Sequence, residues 1–233
     1  MVPFDKRGTT LSTLSALGIV DVLPHGWTMD DRAVLFDLDG TLLDSLGDLA
    51  DAVNAVRTEL GLSRLAESEV SHGLGSGLGV LLRACLPARF HHDLSRCREV
   101  FLNHYGANLM VRSRPFEGVE ALLGDIKCST GLVTNKPRRF AEPILEHLGW
   151  SFDVIVFGDD PLGRKPSAGP ILGALARLGV AAENAVYVGD TRVDFLASEA
   201  AGVTFLAVPW AHGLEQHKMD RLSDVLLRIG EEA

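Results

Sequence analysis

Two aspartates two positions apart, Asp37 and Asp39, end a short apolar run and are followed at once by Gly40. In an extended chain residues i and i+2 face the same way, so both carboxylates can converge just beyond the end of the run. Like charges held together repel, and something must offset them. A hard dication does so, because Mg2+ takes one or two carboxylates and completes its shell with water and phosphate oxygens. The plainer alternative is an Asp-Gly turn that closes a strand. A second segment of chemical interest is Gly73-Leu74-Gly75-Ser76-Gly77-Leu78-Gly79. Glycine lets a backbone approach a ligand closely, so Gly75, Ser76 and Gly77 are read as substrate-facing rather than as a plain helix–helix connection. The run does not match G-x-G-x-x-G after a strand, and no dinucleotide site is implied. His91-His92 has no partner at metal-ligand spacing and reads as a solvated pair.

The elements that position these groups follow from the apolar pattern. Runs at residues 33–38, 131–133, 154–157, 185–188 and 204–208 are short, and most contain Val, Ile or Phe. They read as strands buried on both faces. Helical stripes separate the later runs: Phe140, Ile144, Leu145 and Leu148, with Pro143 as a kink or a start; Ile171, Leu172, Leu175 and Leu178; and Leu222, Val225, Leu226 and Ile229. Alternation of this kind predicts an α/β fold, a Rossmann-like parallel sheet with helices on both faces. Between residues 45 and 114 the pattern is helical only, with stripes Leu49, Val53, Val56, Leu60 and Leu94, Cys97, Phe101, Tyr105. This reads as an all-helical cap inserted after the first strand. The expected organisation is an N-terminal extension over residues 1–30, an α/β core over 31–44 and 115–233, and the cap over 45–114. The apolar pattern of the extension is broken, and Met29 precedes the first core strand. The extension is therefore expected to be dispensable rather than a signal peptide.

Composition narrows the function. The 233 residues are 46% hydrophobic and 23% charged, with 22 basic and 31 acidic residues and a formal charge of −9. An acidic surface disfavours nucleic acid as a partner. No apolar run approaches the roughly 20 residues that span a bilayer, so no membrane partner is expected. Cys85, Cys97 and Cys128 are odd in number and form no C-x-x-C pair. That speaks against a disulfide framework and for a reducing, cytoplasmic location.

Four segments in order resemble the motifs of the haloacid dehalogenase-like hydrolase superfamily. Asp37-Leu38-Asp39-Gly40-Thr41-Leu42-Leu43-Asp44 resembles its D-x-D-x-T motif, and Thr134 stands where the second motif has its hydroxyl residue. Lys165-Pro166 resembles the third, and Gly189-Asp190-Thr191-Arg192-Val193-Asp194 the fourth. The helical insertion matches the C1 cap arrangement. The nearest resemblance is to phosphoglycolate phosphatases, through Leu35 to Ser45, Gly75-Ser76-Gly77, Thr134-Asn135-Lys136-Pro137 and Tyr187-Val188-Gly189-Asp190. Departures are the long extension and the segment Lys165-Pro166-Ser167-Ala168-Gly169-Pro170, which lacks a second proline two residues after the first.

The resemblance implies a magnesium-dependent phosphomonoesterase. Asp37 would be the nucleophile and Asp39 the acid–base. Thr134 and the Asn135 N–H would hold phosphoryl oxygens, and Lys165 would offset their charge. Asp37, Asp190 and the Asp39 carbonyl would hold Mg2+, with Asp194 beside them as a ligand or outer acid. Thr41 is grouped with the substrate-contact residues as one that orients the loop, and Lys136 is expected to touch a substrate carboxylate. Arg138-Arg139 reads as surface charge. The expected substrate is 2-phosphoglycolate or a similar small phosphorylated metabolite, turned over by a monomer or homodimer. Alternatives are phosphatases for another sugar phosphate, nucleotide or pyrophosphate, and a phosphomutase. A receiver-type phosphoacceptor lacks an equivalent of Asp39. A dehalogenase of the same fold needs neither Asp39 nor the acid of the fourth motif.

Overall fold

The computed structural model describes residues 31–73, 75 and 77–230. The expected N-terminal extension and Ser76 lie outside the described residues.

Five short strands form one parallel sheet in the order β5-β4-β1-β6-β7. They are β1 (Ala33–Phe36), β4 (Ser129–Val133), β5 (Val154–Val156), β6 (Ala185–Gly189) and β7 (Thr204–Ala207). Phe36 pairs with Leu132 on one side and Val188 on the other, so the three central strands run in step. Every residue of β1 and β6 is buried, which is why both read as unbroken apolar runs rather than alternating ones. Helices α5 (Val119–Asp125), α6 (Arg138–Leu148), α7 (Gly169–Leu178) and α8 (Arg192–Ala201) link the strands, and the short α9 (Asp224–Arg228) follows. Of the two places open to Pro143, it occupies the one inside α6 rather than the one at its start. Leu172, expected on the packed face of α7, is 45% exposed, because Ile171 and Leu175 occupy that face.

Between residues 45 and 113 the regular elements are helical: α1 (Leu46–Glu59), α2 (Glu67–Ser71), α3 (Leu78–Cys85) and α4 (Leu94–Ala107), with a 3-10 turn between the last two. The insertion leaves and re-enters the sheet unit through a small antiparallel ribbon, β2 (Leu43–Asp44) against β3 (Arg114–Pro115). Asp48 at the start of α1 is buried and accepts from the Arg112 N–H at 2.8 Å, the Ser113 N–H at 3.0 Å and the Ser113 hydroxyl at 2.6 Å. One carboxylate thus ties the two ends of the insertion together. The insertion has its own apolar cluster, formed by α1, α3 and α4 around Val53, Leu82 and Phe101. Phe140 of α6 joins that cluster from the sheet side. Among the described residues no helix is long and apolar enough to cross a membrane. All three cysteines are buried.

Candidate active site

Three adjacent strands deliver three polar residues to one edge of the sheet. The Asp37 N–H bonds Val188 O at 3.0 Å, extending the pairing of β1 by one residue, and the Thr134 N–H does the same with Val156 O at 3.0 Å. Asp190 follows the last residue of β6. All three therefore stand at the carboxyl ends of parallel strands. β1 is also where the strand order reverses, the position at which open α/β sheets take ligands. Lys165 reaches the same place from the loop after β5.

The segment after Asp37 is a tight loop. The N–H groups of Leu42 and Leu43 both bond Leu38 O, at 3.0 and 2.9 Å, and the Gly40 N–H bonds Leu43 O at 2.8 Å. Gly40 has φ of 86°, and a Cβ there would overlap the Asp190 carboxylate. Glycine is required on both counts. The Trp210 ring stacks on Phe116 and donates its indole N–H to Gly40 O at 2.8 Å, holding the loop from the far side.

The charges around Asp37 are buried and unequal. Lys165 Nζ lies 2.8 Å from Asp37 Oδ1, 2.6 Å from Asp194 Oδ1 and 2.8 Å from the Tyr187 hydroxyl. One ammonium thus faces two carboxylates, with Asp190 close by. Burial pushes the Asp37 carboxyl up to about 6; Lys165 opposes this and Asp194 adds to it. Burial likewise raises the Asp190 carboxyl well above the usual range, helped by Asp194 and Asp37. Burial alone would lower the Lys165 ammonium, but Asp194 and Asp37 outweigh it and the net shift is upward. Removing the ammonium leaves buried charges without a partner. Lys165→Met is therefore expected to cost about 3–5 kcal/mol of stability near neutral pH, read as a lower denaturant midpoint at unchanged slope.

Oxygen ligand atoms of Asp37, Asp190 and Asp194 lie within 4.8 Å of one another. Hard oxygen donors in this number, with a net negative charge that Lys165 does not cancel, fit a small divalent cation. Asp194 is the least free of the three. It is fully buried, one oxygen bonds Lys165, and the other takes both the backbone N–H and the hydroxyl of Thr191, the N-cap residue of α8. Its placement suits an outer position that fixes Lys165 better than a place in the ion's inner shell.

Thr41 is placed differently from expectation. It is fully buried, its hydroxyl donates to Asp190 Oδ1 at 2.9 Å, and it is not among the residues lining the cavity. Its hydroxyl thus faces Asp190 and not the cavity. Lys136 also differs. Its ammonium bonds both Asp39 oxygens, at 2.7 and 3.0 Å, and the Tyr105 hydroxyl at 2.6 Å. A substrate carboxylate would have to compete with that buried pair.

A cavity of about 130 Å³ opens between the sheet edge and the insertion. Asp37, Asp39, Thr134, Asn135 and Asp190 line one end. Gly75 and Gly77 line it from the insertion, together with Arg98, Phe101 and Tyr105 of α4. Asn135 holds the two sides together. Its side-chain amide donates to Lys165 O at 3.0 Å and Gly75 O at 3.2 Å, and its oxygen accepts from the Lys165 N–H at 3.0 Å. Arg98 and Tyr105 were absent from the sequence reading of the site. Their signal was there: Arg98, Phe101, Leu102 and Tyr105 share one helix face, but only the apolar members of that face attract notice.

Residues 34–208 match the family model described as haloacid dehalogenase-like hydrolase. A phosphoglycolate phosphatase of Xanthomonas campestris pv. campestris is 40% identical over 206 residues, covering 84% of this chain and 91% of that one. A phosphoglycolate phosphatase of Yersinia pestis is 36% identical over 190 residues, covering 78% and 82%. Among solved structures, a predicted phosphoglycolate phosphatase from Haemophilus somnus superimposes with a TM-score of 0.75 at 26% identity, covering 86% of this chain and 98% of that one. A predicted phosphatase from Clostridium acetobutylicum has the same fold, with a TM-score of 0.68 at 23% identity over 86% and 91% of the two chains.

Proposed function

The chain belongs to the haloacid dehalogenase-like hydrolase family, and from that premise we propose that this phosphatase is magnesium-dependent, works through a phospho-aspartate on Asp37 and prefers 2-phosphoglycolate. The observation that carries the reading is the convergence at one cavity end of Asp37, backed by Lys165 at 2.8 Å, with Thr134, Asp39 and Asp190.

A carboxylate oxygen of Asp37 attacks the phosphorus, and the P–O bond to the leaving alkoxide breaks. Asp39 gives the alkoxide a proton. Asp39 then takes a proton from the water that attacks the phosphorus of the aspartyl phosphate, and Asp37 is released. The Thr134 hydroxyl and the Asn135 N–H donate to phosphoryl oxygens, while Lys165 offsets charge on them and on Asp37. Asp37 and Asp190, with the Asp39 carbonyl, would hold Mg2+, which when bound stabilises negative charge on the transferring group.

The leaving group is met by the insertion. A small cavity with Gly75 and Gly77 on its wall favours a compact substrate. Arg98 lines it, and its guanidinium has no hydrogen-bond or ion-pair partner among the described residues. It can receive the carboxylate of 2-phosphoglycolate. The similarity to phosphoglycolate phosphatases supports the same reading. A panel of phosphomonoesters assayed with Mg2+ should show the highest kcat/KM for 2-phosphoglycolate. Arg98→Ala should lower that value by about tenfold, the worth of a partly exposed charge-assisted contact, and leave a neutral alkyl phosphate nearly unaffected. Equal rates for 2-phosphoglycolate and unrelated sugar phosphates would reject the substrate and leave the phosphatase standing.

A further inference from the structure

Lys136 is only 6% exposed, and its ammonium joins two parts of the molecule. On one side it holds both oxygens of Asp39, whose Oδ1 also accepts from the Ser45 hydroxyl at 2.6 Å. On the other it donates to the hydroxyl of Tyr105, a residue of α4 in the helical insertion. The Tyr105 ring is fixed in turn. It stacks on Phe101 with centroids 5.7 Å apart and meets the edge of Phe140, from the sheet side, at 5.2 Å. Tyr105 is therefore placed by the packing of the insertion onto α6. A chain of contacts runs from that packing through Tyr105 and Lys136 to the Asp39 carboxylate.

We propose that Lys136 is a positioning residue that holds the Asp39 carboxylate in line for the second half-reaction, and that Tyr105 makes this hold depend on the seating of the insertion. The inference rests on the reading of Asp39 as acid–base and of Asp37 as the phosphorylated residue. In that half-reaction a water oxygen bonds to phosphorus, the P–O bond to Asp37 breaks, and the water proton passes to Asp39. Asp39 has freedom to turn, since its side chain is 26% exposed. Without Lys136 it keeps only the Ser45 contact to set its direction, whereas the phosphoryl transfer onto Asp37 keeps Lys165 and Thr134. The second step should therefore suffer more than the first.

The test uses the full-length enzyme with Mg2+ and p-nitrophenyl phosphate, which needs little acid assistance to lose its leaving group. Lys136→Met should lower kcat about 100-fold, the lower end of what acid–base positioning contributes. It should change kcat/KM little and produce a burst of p-nitrophenol close to one per chain, with phosphoenzyme recovered on acid quench. Lys136→Arg should restore part of kcat. Tyr105→Phe should show the same burst with a smaller fall, and it carries the test alone if Lys136→Met does not fold. Equal losses in kcat and kcat/KM without a burst would overturn the proposal. So would an effect confined to KM for 2-phosphoglycolate, which would make Lys136 a substrate contact. Asp39→Asn separates the two readings. If it traps phosphoenzyme and the Lys136 and Tyr105 variants do not, only the positioning role fails. If no variant traps any, the aspartyl-phosphate reading fails with it.

Discussion

Asp37→Asn is expected to lower kcat by on the order of 10⁴-fold or more, the scale seen when a nucleophile is removed, while the protein stays folded. The amide has nearly the shape of the carboxylate, but its oxygen is a far weaker nucleophile. The stability expectation comes from the surroundings. Burial already penalises the charged Asp37, and Asp194 and Asp39 add repulsion that Lys165 only partly offsets. A neutral amide removes that penalty, and Lys165 retains Asp194 at 2.6 Å. The melting temperature should therefore hold or rise even as turnover vanishes. Steady-state kinetics beside a circular-dichroism melt decide it. A rate within about tenfold of wild type would place the nucleophile elsewhere.

Exhaustive EDTA treatment should lower activity by at least about 100-fold, since a bound dication contributes several kcal/mol of charge stabilisation to the transition state. Mg2+ should restore it. The raised carboxyls of Asp37 and Asp190 give the pH dependence of the same site. A carboxyl whose value is raised on folding binds more protons in the folded state than in the unfolded one. Its contribution to stability is therefore largest below the unfolded value, about 4, and is lost as pH rises through the folded value. For Asp37 the folded value is about 6. Without a divalent ion this penalty is complete for Asp37 near neutrality, where its carboxylate is charged beside Asp194. Mg2+ competes with protons for the same oxygens. The rise in melting temperature on adding Mg2+ should be larger at about pH 7.5 than at about pH 5, and Asp190→Asn should abolish most of it. A pH-independent Mg2+ shift, or one that survives Asp190→Asn, would mean that the ion binds outside this cluster.

What could be read from the sequence follows a physical divide. The five sheet strands were legible because burial on both faces demands unbroken apolar runs, and Ala33–Phe36 and Ala185–Gly189 are fully buried. The ribbon of β2 and β3 was not legible, since two residues per strand carry no period. Helix α8 was not read either. Its marker was the N-cap Thr191 with Asp194 in a capping box, but both residues fall within a segment noticed for its acids. Positions at strand ends were readable as site positions. Directions of side chains were not. Thr41 and Lys136 both adjoin such ends, yet Thr41 turns to Asp190 and Lys136 to Asp39. Tyr105 shows the other limit. In the series Leu94, Cys97, Phe101, Tyr105 it is one more buried stripe member, and its ring does pack there. Its hydroxyl acquires a role only through Lys136, 31 residues away, and no local pattern encodes that pairing.

The most direct test of the account is to catch the intermediate. The Asp39→Asn enzyme, mixed with Mg2+ and excess 2-phosphoglycolate, is quenched in acid within the first turnovers and digested for peptide mass analysis. The account predicts one phosphoryl group per chain, on the peptide containing Asp37 and assigned to that residue, formed no more slowly than glycolate is released and absent from Asp37→Asn. A phosphoryl group on another residue would contradict it. So would stoichiometric glycolate and free phosphate with no protein-bound phosphoryl group at any time.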